Sequence, residues 1–188
     1  MRREMLLFGK GGPACTDATL GAACERAVEL GIGHAVVATS TGETVLRALD
    51  AFEGADVQVV GVTLLAGYWD VYEPPDADVL REAEARGARI LTATHTLMGN
   101  VGTAIREKFG GLPPSELIAH TYYTFSQGMK VAVEVAVGAA DAGLVPTDGE
   151  VVAVGGTGRG ADTAIVLQPA CSIRFFDVAV REIIAMPR

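Results

Sequence analysis

The chain alternates short, continuous apolar runs with longer segments of helical pattern, and this alternation constrains the fold more than any other feature of the sequence. Runs such as 35–38 and 57–60 are almost wholly apolar, which is typical of parallel strands covered by helices on both faces. Repeated βα units of this kind favour right-handed crossovers and helices on both sides of one sheet. The strands predicted from these runs are Met5–Phe8, His34–Ala38, Val57–Val62, Arg89–Ala93 and Glu150–Val154.

Capping residues and glycines indicate where the helices between these strands begin and end. A further helical region begins at Ser115, after a Gly-Gly-Leu-Pro-Pro break, and extends to about Ala142. Gly128 and Gly138 interrupt its small-residue face, so two helices and one kinked helix both remain open. The other predicted helices cover residues 17–30, about 41–52, 76–86 and about 96–109.

The terminal third of the chain has a different pattern, with little helix between its predicted strands. Val151–Val154, Thr163–Leu167 and Val180–Met186 favour strands joined by short connections. We therefore predict a three-layer α/β/α sandwich whose mostly parallel sheet has an antiparallel edge. Residues 1–188 are expected to form a single domain, because no abrupt shift in composition suggests a linker.

Charge and composition exclude several classes of function. The chain has 23 acidic and 15 basic residues, and its formal charge of -8 repels a nucleic-acid backbone. Its three cysteines lack CxxC spacing, which fits a reducing cytoplasm and favours neither a disulfide framework nor a zinc knuckle. Charged residues interrupt the longest apolar tract, 131–145, so we expect no membrane span. A homo-oligomer would be an ordinary outcome for such a domain.

The loop after the second predicted strand has the composition of an anion site. In open α/β sheets the ligand crevice lies outside the carboxyl ends of the strands, so residues that follow strands matter most. Hydroxyls and unpaired N–H groups at a helix N-terminus bind phosphate without a lysine. Ser and Thr are also ordinary helix caps, and the carboxylate of Glu43 opposes an anion, so capping alone stays open. The candidate residues of this loop are Thr39, Ser40, Thr41, Gly42, Glu43 and Thr44.

A second loop, 155–162, combines glycines that allow close backbone approach with an arginine suited to phosphate. It lacks both the GxGxxG spacing and the lysine of a P-loop, and it precedes a predicted strand. A tight turn between strands would need several of the same glycines, so a purely structural role is equally open. The candidate residues are Gly156, Thr157, Gly158, Arg159 and Gly160.

Other candidates follow the remaining predicted strands. Lys10 ends the first strand and Thr63 the third, and both are expected to face the same crevice. Two interpretations are open for the aromatic residues Tyr68, Trp69 and Tyr72. They stack on the flat ring of a ligand, or they pack together under a long loop.

His95 follows the fourth strand, where an imidazole is able to bind phosphate or carry a proton. No HExxH or paired His/Asp spacing occurs, and no metal is expected. No nucleophile elbow surrounds any serine, so no catalytic residue is predicted and enzymatic activity stays undecided. The i,i+4 spacing of Lys130 and Glu134 favours a simple ion pair on a helix.

Four segments resemble the stand-alone proteins related to the C-terminal α/β domain of pyruvate kinase, a resemblance that covers nearly the whole chain. In pyruvate kinase the loop similar to 39–44 belongs to the allosteric site for a sugar phosphate. The catalytic reaction takes place in a separate barrel that alone needs about 250 residues. The segments that carry the resemblance are 36–44, 94–99, 151–162 and 182–188.

The resemblance implies ligand binding without the kinase reaction, and it implies flavin mononucleotide (FMN) as the ligand. The phosphate of FMN is expected at residues 39–44, with Arg159 or His95 near its polar edge. The alternatives are a flavin-dependent oxidoreductase, a sugar-phosphate-sensing regulatory module and a structural domain in which the Ser/Thr loop is only a cap.

Overall fold

Seven strands form one sheet in a computed structural model that describes residues 4–188. The strands are β1 (Leu6–Phe8), β2 (His34–Ala38), β3 (Gln58–Val62), β4 (Arg89–Leu91), β5 (Val151–Gly155), β6 (Thr163–Gln168) and β7 (Ala179–Pro187). Their order across the sheet is β1-β7-β6-β5-β2-β3-β4. The carboxyl ends of β5, β2, β3 and β4 meet at one edge, because these four neighbours are all parallel.

The predicted sheet, mostly parallel with an antiparallel part, is confirmed. The antiparallel pairs are formed by β6, which runs opposite to both β5 and β7. β1 pairs in parallel with the outer side of β7, so β6 lies inside the sheet and β1 at its border. The short connections of the terminal third thus produce the antiparallel pairs. β1, the first strand in the chain, is the border strand next to β7.

Helices cover both faces of the sheet, and the predicted three-layer α/β/α sandwich is confirmed. Apolar side chains of α1, α2 and α3 pack on one face with residues such as Ala35 and Val37 of β2. On the other face α6 packs against Val36, which lies between Ala35 and Val37 in β2 and points to the opposite side of the sheet. The helices are α1 (Thr16–Leu30), α2 (Glu43–Ala51), α3 (Ala77–Ala85), α4 (Val101–Phe109), α5 (Pro114–Tyr123) and α6 (Gln127–Asp141).

Capping side chains correct one helix prediction and decide between the two alternatives left open for another segment. The helix predicted from about Thr96 begins at Val101, because the side chain of Asn100 accepts the N–H of Gly102 at 2.8 Å and starts the helix there. The segment predicted from Ser115 to Ala142 is two helices. It breaks at residues 124–126, where Ser126 accepts the N–H of Met129 at 2.9 Å, rather than at either glycine.

Helix α6 contacts β2, β3, β5 and β6, and its backbone lies close to that of β5. A Cβ added to Gly155 would lie 2.8 Å from the backbone nitrogen of Ala132 and would also meet the carbonyl oxygen of Gly128. Most of α6 is buried, which accounts for the long apolar tract in the sequence. No helix among residues 4–188 is long and apolar enough to cross a bilayer.

Candidate functional site

A cavity of about 810 Å³ opens at the edge of the sheet where the four parallel strands end. The segments that follow β2, β3, β4 and β5 line it, together with the N-terminal half of α6. A crevice outside the carboxyl ends of parallel strands is the usual ligand position in such folds, and this volume suits a drug-sized molecule. The cavity gathers eleven of the fourteen residues predicted from the sequence: Thr39, Ser40, Thr41, Glu43, Thr44, Thr63, His95, Gly156, Gly158, Arg159 and Gly160.

The turn between β2 and α2 combines helix capping with unpaired donors. The hydroxyl of Thr39 accepts the N–H of Val45 at 3.4 Å, and that of Thr41 faces the N–H of Glu43 at 3.5 Å. The capping role considered from the sequence is therefore present. Within residues 4–188, four backbone N–H groups of the turn have no acceptor: those of Ser40, Thr41, Gly42 and Thr44. Unpaired N–H groups at the N-terminus of a helix, together with the helix dipole, are donors of the kind that anions bind in proteins.

Gly42 does not line the cavity; it shapes the turn. Its φ of 106° lies in the region that favours glycine, and it is the N-cap of α2. A Cβ at this position would lie 2.7 Å from Cγ1 of Val79, in α3. The glycine therefore allows α2 to begin immediately beneath the cavity while α3 packs alongside.

The loop after β5 is held by a buried carboxylate. Asp162 is fully buried and accepts the N–H groups of Gly12 at 2.9 Å and Thr157 at 3.0 Å, and the hydroxyl of Thr163 at 2.9 Å. Thr157 thus stabilises the loop and is not among the residues that line the cavity. The glycines beside it line the cavity with backbone alone.

Arg159 lies at the mouth of the cavity with its charge already paired. Its guanidinium donates to the carboxylate of Glu73, which belongs to the segment after β3, and both side chains are largely exposed. Glu43 and Glu107 also line the cavity. The unpaired donors near the mouth are therefore mainly backbone N–H groups, because the guanidinium of Arg159 is paired with Glu73.

Lys10 lies outside the cavity, although it follows a strand as predicted. β1 is at the border of the sheet, and β7, β6 and β5 separate it from β2. The side chain of Lys10 is exposed, and its backbone carbonyl accepts the thiol of Cys15. A residue that follows a strand does not necessarily line the cavity, because the order of the strands in the sheet decides which loops are neighbours.

Tyrosine side chains form one wall of the cavity. Tyr68 and Tyr72 meet edge to face with ring centroids 5.9 Å apart, and Tyr123 lies against Met98, donating its hydroxyl to the sulfur at 3.3 Å. Trp69 is not among the lining residues; its indole N–H donates to the carbonyl of Leu64 at 3.0 Å. Tyr68 and Tyr72 thus line the cavity and pack against each other, whereas Trp69 packs on its own loop.

Alkaline pH is expected to destabilise the fold through these tyrosines. Burial raises the pKa of Tyr68 and Tyr123, and the carboxylates of Glu107 and Glu134, respectively, raise it further. Because the folded state holds these phenols neutral, their contribution is complete below the unfolded pKa of about 10 and is lost as the pH rises through the folded values. We expect the free energy of unfolding by urea to fall between pH 9 and pH 11, and to fall less in Tyr123→Phe. An equal fall in both proteins would contradict this assignment.

An ion pair between Lys130 and Glu134 is buried in the wall of the cavity, a position that their i,i+4 spacing did not predict. Lys130 and Glu134 are only 5% and 3% exposed, and the ammonium of Lys130 donates to Oε2 of Glu134. Oε1 of the same carboxylate accepts the N–H groups of Leu97 at 2.8 Å and Met98 at 3.0 Å. The pair is an i,i+4 helix pair as predicted, but it is part of the site. The sequence did contain a signal for this burial. The residues around Lys130 and Glu134 are almost all apolar, so the helix has no polar face on which an exposed ion pair would lie.

His95 completes this group of polar side chains. Its Nδ1 lies 3.7 Å from Oε2 of Glu134, and its Nε2 lies 3.2 Å from the carbonyl oxygen of Thr63. The hydroxyl of Thr63 is 2.6 Å from that of Thr92, so Thr63 ties the ends of β3 and β4 together. His95 is thus held between a carboxylate and a carbonyl at the cavity wall.

One family model matches the chain. It describes the alpha/beta domain of pyruvate kinase, and it covers residues 17–167. The match runs from α1 to β6 and therefore includes every loop that lines the cavity.

Proposed function

This chain belongs to the pyruvate kinase alpha/beta domain family, and from that premise we propose that it binds a phosphate-bearing small molecule in the cavity at the carboxyl ends of β2, β3, β4 and β5. The ligand that we propose is FMN. The observation that carries the proposal is the meeting of two recognition surfaces in one cavity of about 810 Å³. One surface is the set of unpaired N–H groups before α2, and the other is the tyrosine wall.

The phosphate group binds at the turn between β2 and α2. The N–H groups of Ser40, Thr41 and Thr44 need acceptors, and a helix N-terminus carries about half a positive charge. Charge-assisted hydrogen bonds from such donors are short and about twice as strong as neutral ones. The exposed Arg159, which is paired with Glu73, adds a cation at the same mouth.

A flat ring fits the remainder of the cavity better than a sugar does. Its lining includes Tyr68, Tyr72 and Tyr123 with Val71 and Met98. Aromatic and apolar surfaces gain from contact with a planar conjugated ring, whereas sugar hydroxyls need polar partners. The similar loop in pyruvate kinase belongs to an allosteric site for a sugar phosphate. In this chain the tyrosine wall favours FMN over a sugar phosphate.

The chain's own residues bind and orient such a ligand rather than perform phosphoryl transfer. In pyruvate kinase that reaction takes place in a separate (β/α)₈ barrel, whereas the family match of this chain is to the alpha/beta domain. Bound FMN supplies one- and two-electron redox chemistry. The residues that would hold it are the turn at 39–44 for the phosphate and the tyrosine wall for the ring.

We expect FMN to raise the melting temperature of the purified protein. At a free ligand concentration of 100 Kd, binding to the native state alone stabilises by about 2.7 kcal/mol, or roughly 5–10 °C for a domain of this size. The measurement is a thermal melt with FMN, with ribose 5-phosphate and without ligand, together with an absorption spectrum of the protein as purified. A colourless protein whose melting temperature is unmoved by FMN would refute the proposal.

A further inference from the structure

The ammonium group of Lys130 lies in the cavity wall with fewer acceptors than it has protons. Lys130 is 5% exposed, and the cavity that it lines is also lined by Val131, Val135 and Tyr123. Among residues 4–188, the only acceptor within hydrogen-bond distance of Nζ is Oε2 of Glu134. Two of its three N–H bonds therefore have no acceptor among residues 4–188, and the side chain that carries them lines the cavity.

Glu134 is fully engaged by the protein. One oxygen accepts two backbone N–H groups from the loop after β4, and the other accepts Lys130, with His95 alongside at 3.7 Å. The carboxylate therefore holds the ammonium in place. Since a buried charge needs further hydrogen bonds to compensate for desolvation, the open N–H bonds of Lys130 need an acceptor from the cavity.

We propose that Lys130 binds an acceptor atom on the ring end of the ligand, so that the ligand class is a phosphate ester with a carbonyl- or imide-type edge at its other end. This inference rests on the proposed function and deepens it. FMN belongs to this class, because the pyrimidine edge of its ring presents carbonyl oxygens and a ring nitrogen. A cation at that edge also stabilises the reduced, anionic ring. Glu134 is the positioning residue for Lys130.

Lys130→Met tests the proposal with FMN and riboflavin as matched probes. Loss of a hydrogen bond from a charged donor predicts affinity about tenfold weaker or worse, by the same factor for both flavins, because they share the ring and differ in the phosphate. The midpoint potential of bound FMN should also fall, since the cation is gone. Lys108→Met, which removes an exposed lysine outside the cavity, should change neither quantity.

A double variant guards against a folding defect. Lys130→Met leaves Glu134 as an unpaired buried carboxylate, whereas Lys130→Met with Glu134→Gln removes both charges and keeps an oxygen for the N–H groups of Leu97 and Met98. The double variant should show the same loss of flavin affinity. Absence of FMN binding in the unaltered protein would refute the proposed function and this inference together.

Two other outcomes would overturn the inference alone. The first is unchanged FMN and riboflavin affinity in Lys130→Met and in the double variant while the unaltered protein binds FMN. The second is a loss confined to FMN with no change of midpoint potential, since this would assign Lys130 to the phosphate.

Discussion

Ser40→Asp is expected to weaken FMN binding by about 100-fold while leaving the fold intact. Ser40 is exposed in the turn between β2 and α2, and its hydroxyl makes no hydrogen bond within residues 4–188. A carboxylate there repels a phosphate dianion over a few ångströms, which at intermediate dielectric costs about 2–3 kcal/mol. Aspartate is favourable in turns and before helices, so stability should not fall.

Ser40→Asn is the matched control, because it has nearly the same shape without the charge. We expect its affinity for FMN to stay within about threefold of the unaltered protein. Riboflavin, which lacks the phosphate, should bind the unaltered protein and Ser40→Asp equally. The measurement is a flavin fluorescence titration at low and at high salt, with the Ser40→Asp effect smaller at high salt. Equal losses for FMN and riboflavin would show that the phosphate does not bind at this turn.

Gly155→Ala is expected to destabilise the fold by about 3 kcal/mol or more. The added methyl group would lie 2.8 Å from the backbone nitrogen of Ala132 and against the carbonyl of Gly128, and neither atom is able to rotate away. The strain is relieved only if α6 moves from β5. Because a domain of this kind has about 5–15 kcal/mol of stability, the loss should be large in urea denaturation. The same shift moves Lys130 in the cavity wall.

Gly138→Ala in the same helix is the matched control. A Cβ at Gly138 meets no atom within 4 Å, and its φ is not positive. Alanine is a better helix former than glycine, so we expect stabilisation by about 0.5–1 kcal/mol. Opposite signs for the two variants would establish that close contact with β5, rather than general intolerance of α6, requires the glycine. A similar effect of both substitutions would contradict it.

Most of the secondary structure follows from local patterns. β2 was predicted with the observed bounds, and β5 and α1 within one residue, because buried parallel strands and capped helices have distinctive local sequences. The helix prediction was wrong where the chain forms a tertiary contact instead. Residues 97 and 98 donate to the carboxylate of Glu134, so α4 starts only at Val101.

The candidate site was only partly predictable. Loops that follow strands were identified as functional candidates from chemistry alone, and the turn at 39–44 and the glycine loop do lie at one cavity. The importance of Lys130 was missed because its i,i+4 partner offered a sufficient local explanation. Burial, which turns that pair into part of the site, depends on the strands and loops packed around α6.

Local sequence was enough to define the βα units, the donor-rich turn before α2 and the glycine-rich loop, because hydrogen bonding and side-chain periodicity over a few residues govern those features. The order of strands across the sheet, by contrast, is a matter of long-range packing. It excludes Lys10 from the cavity by bringing β1 to the border, and it encloses Lys130 by bringing α6 beside β5. Which charges meet a ligand is therefore decided by contacts between residues far apart in the chain.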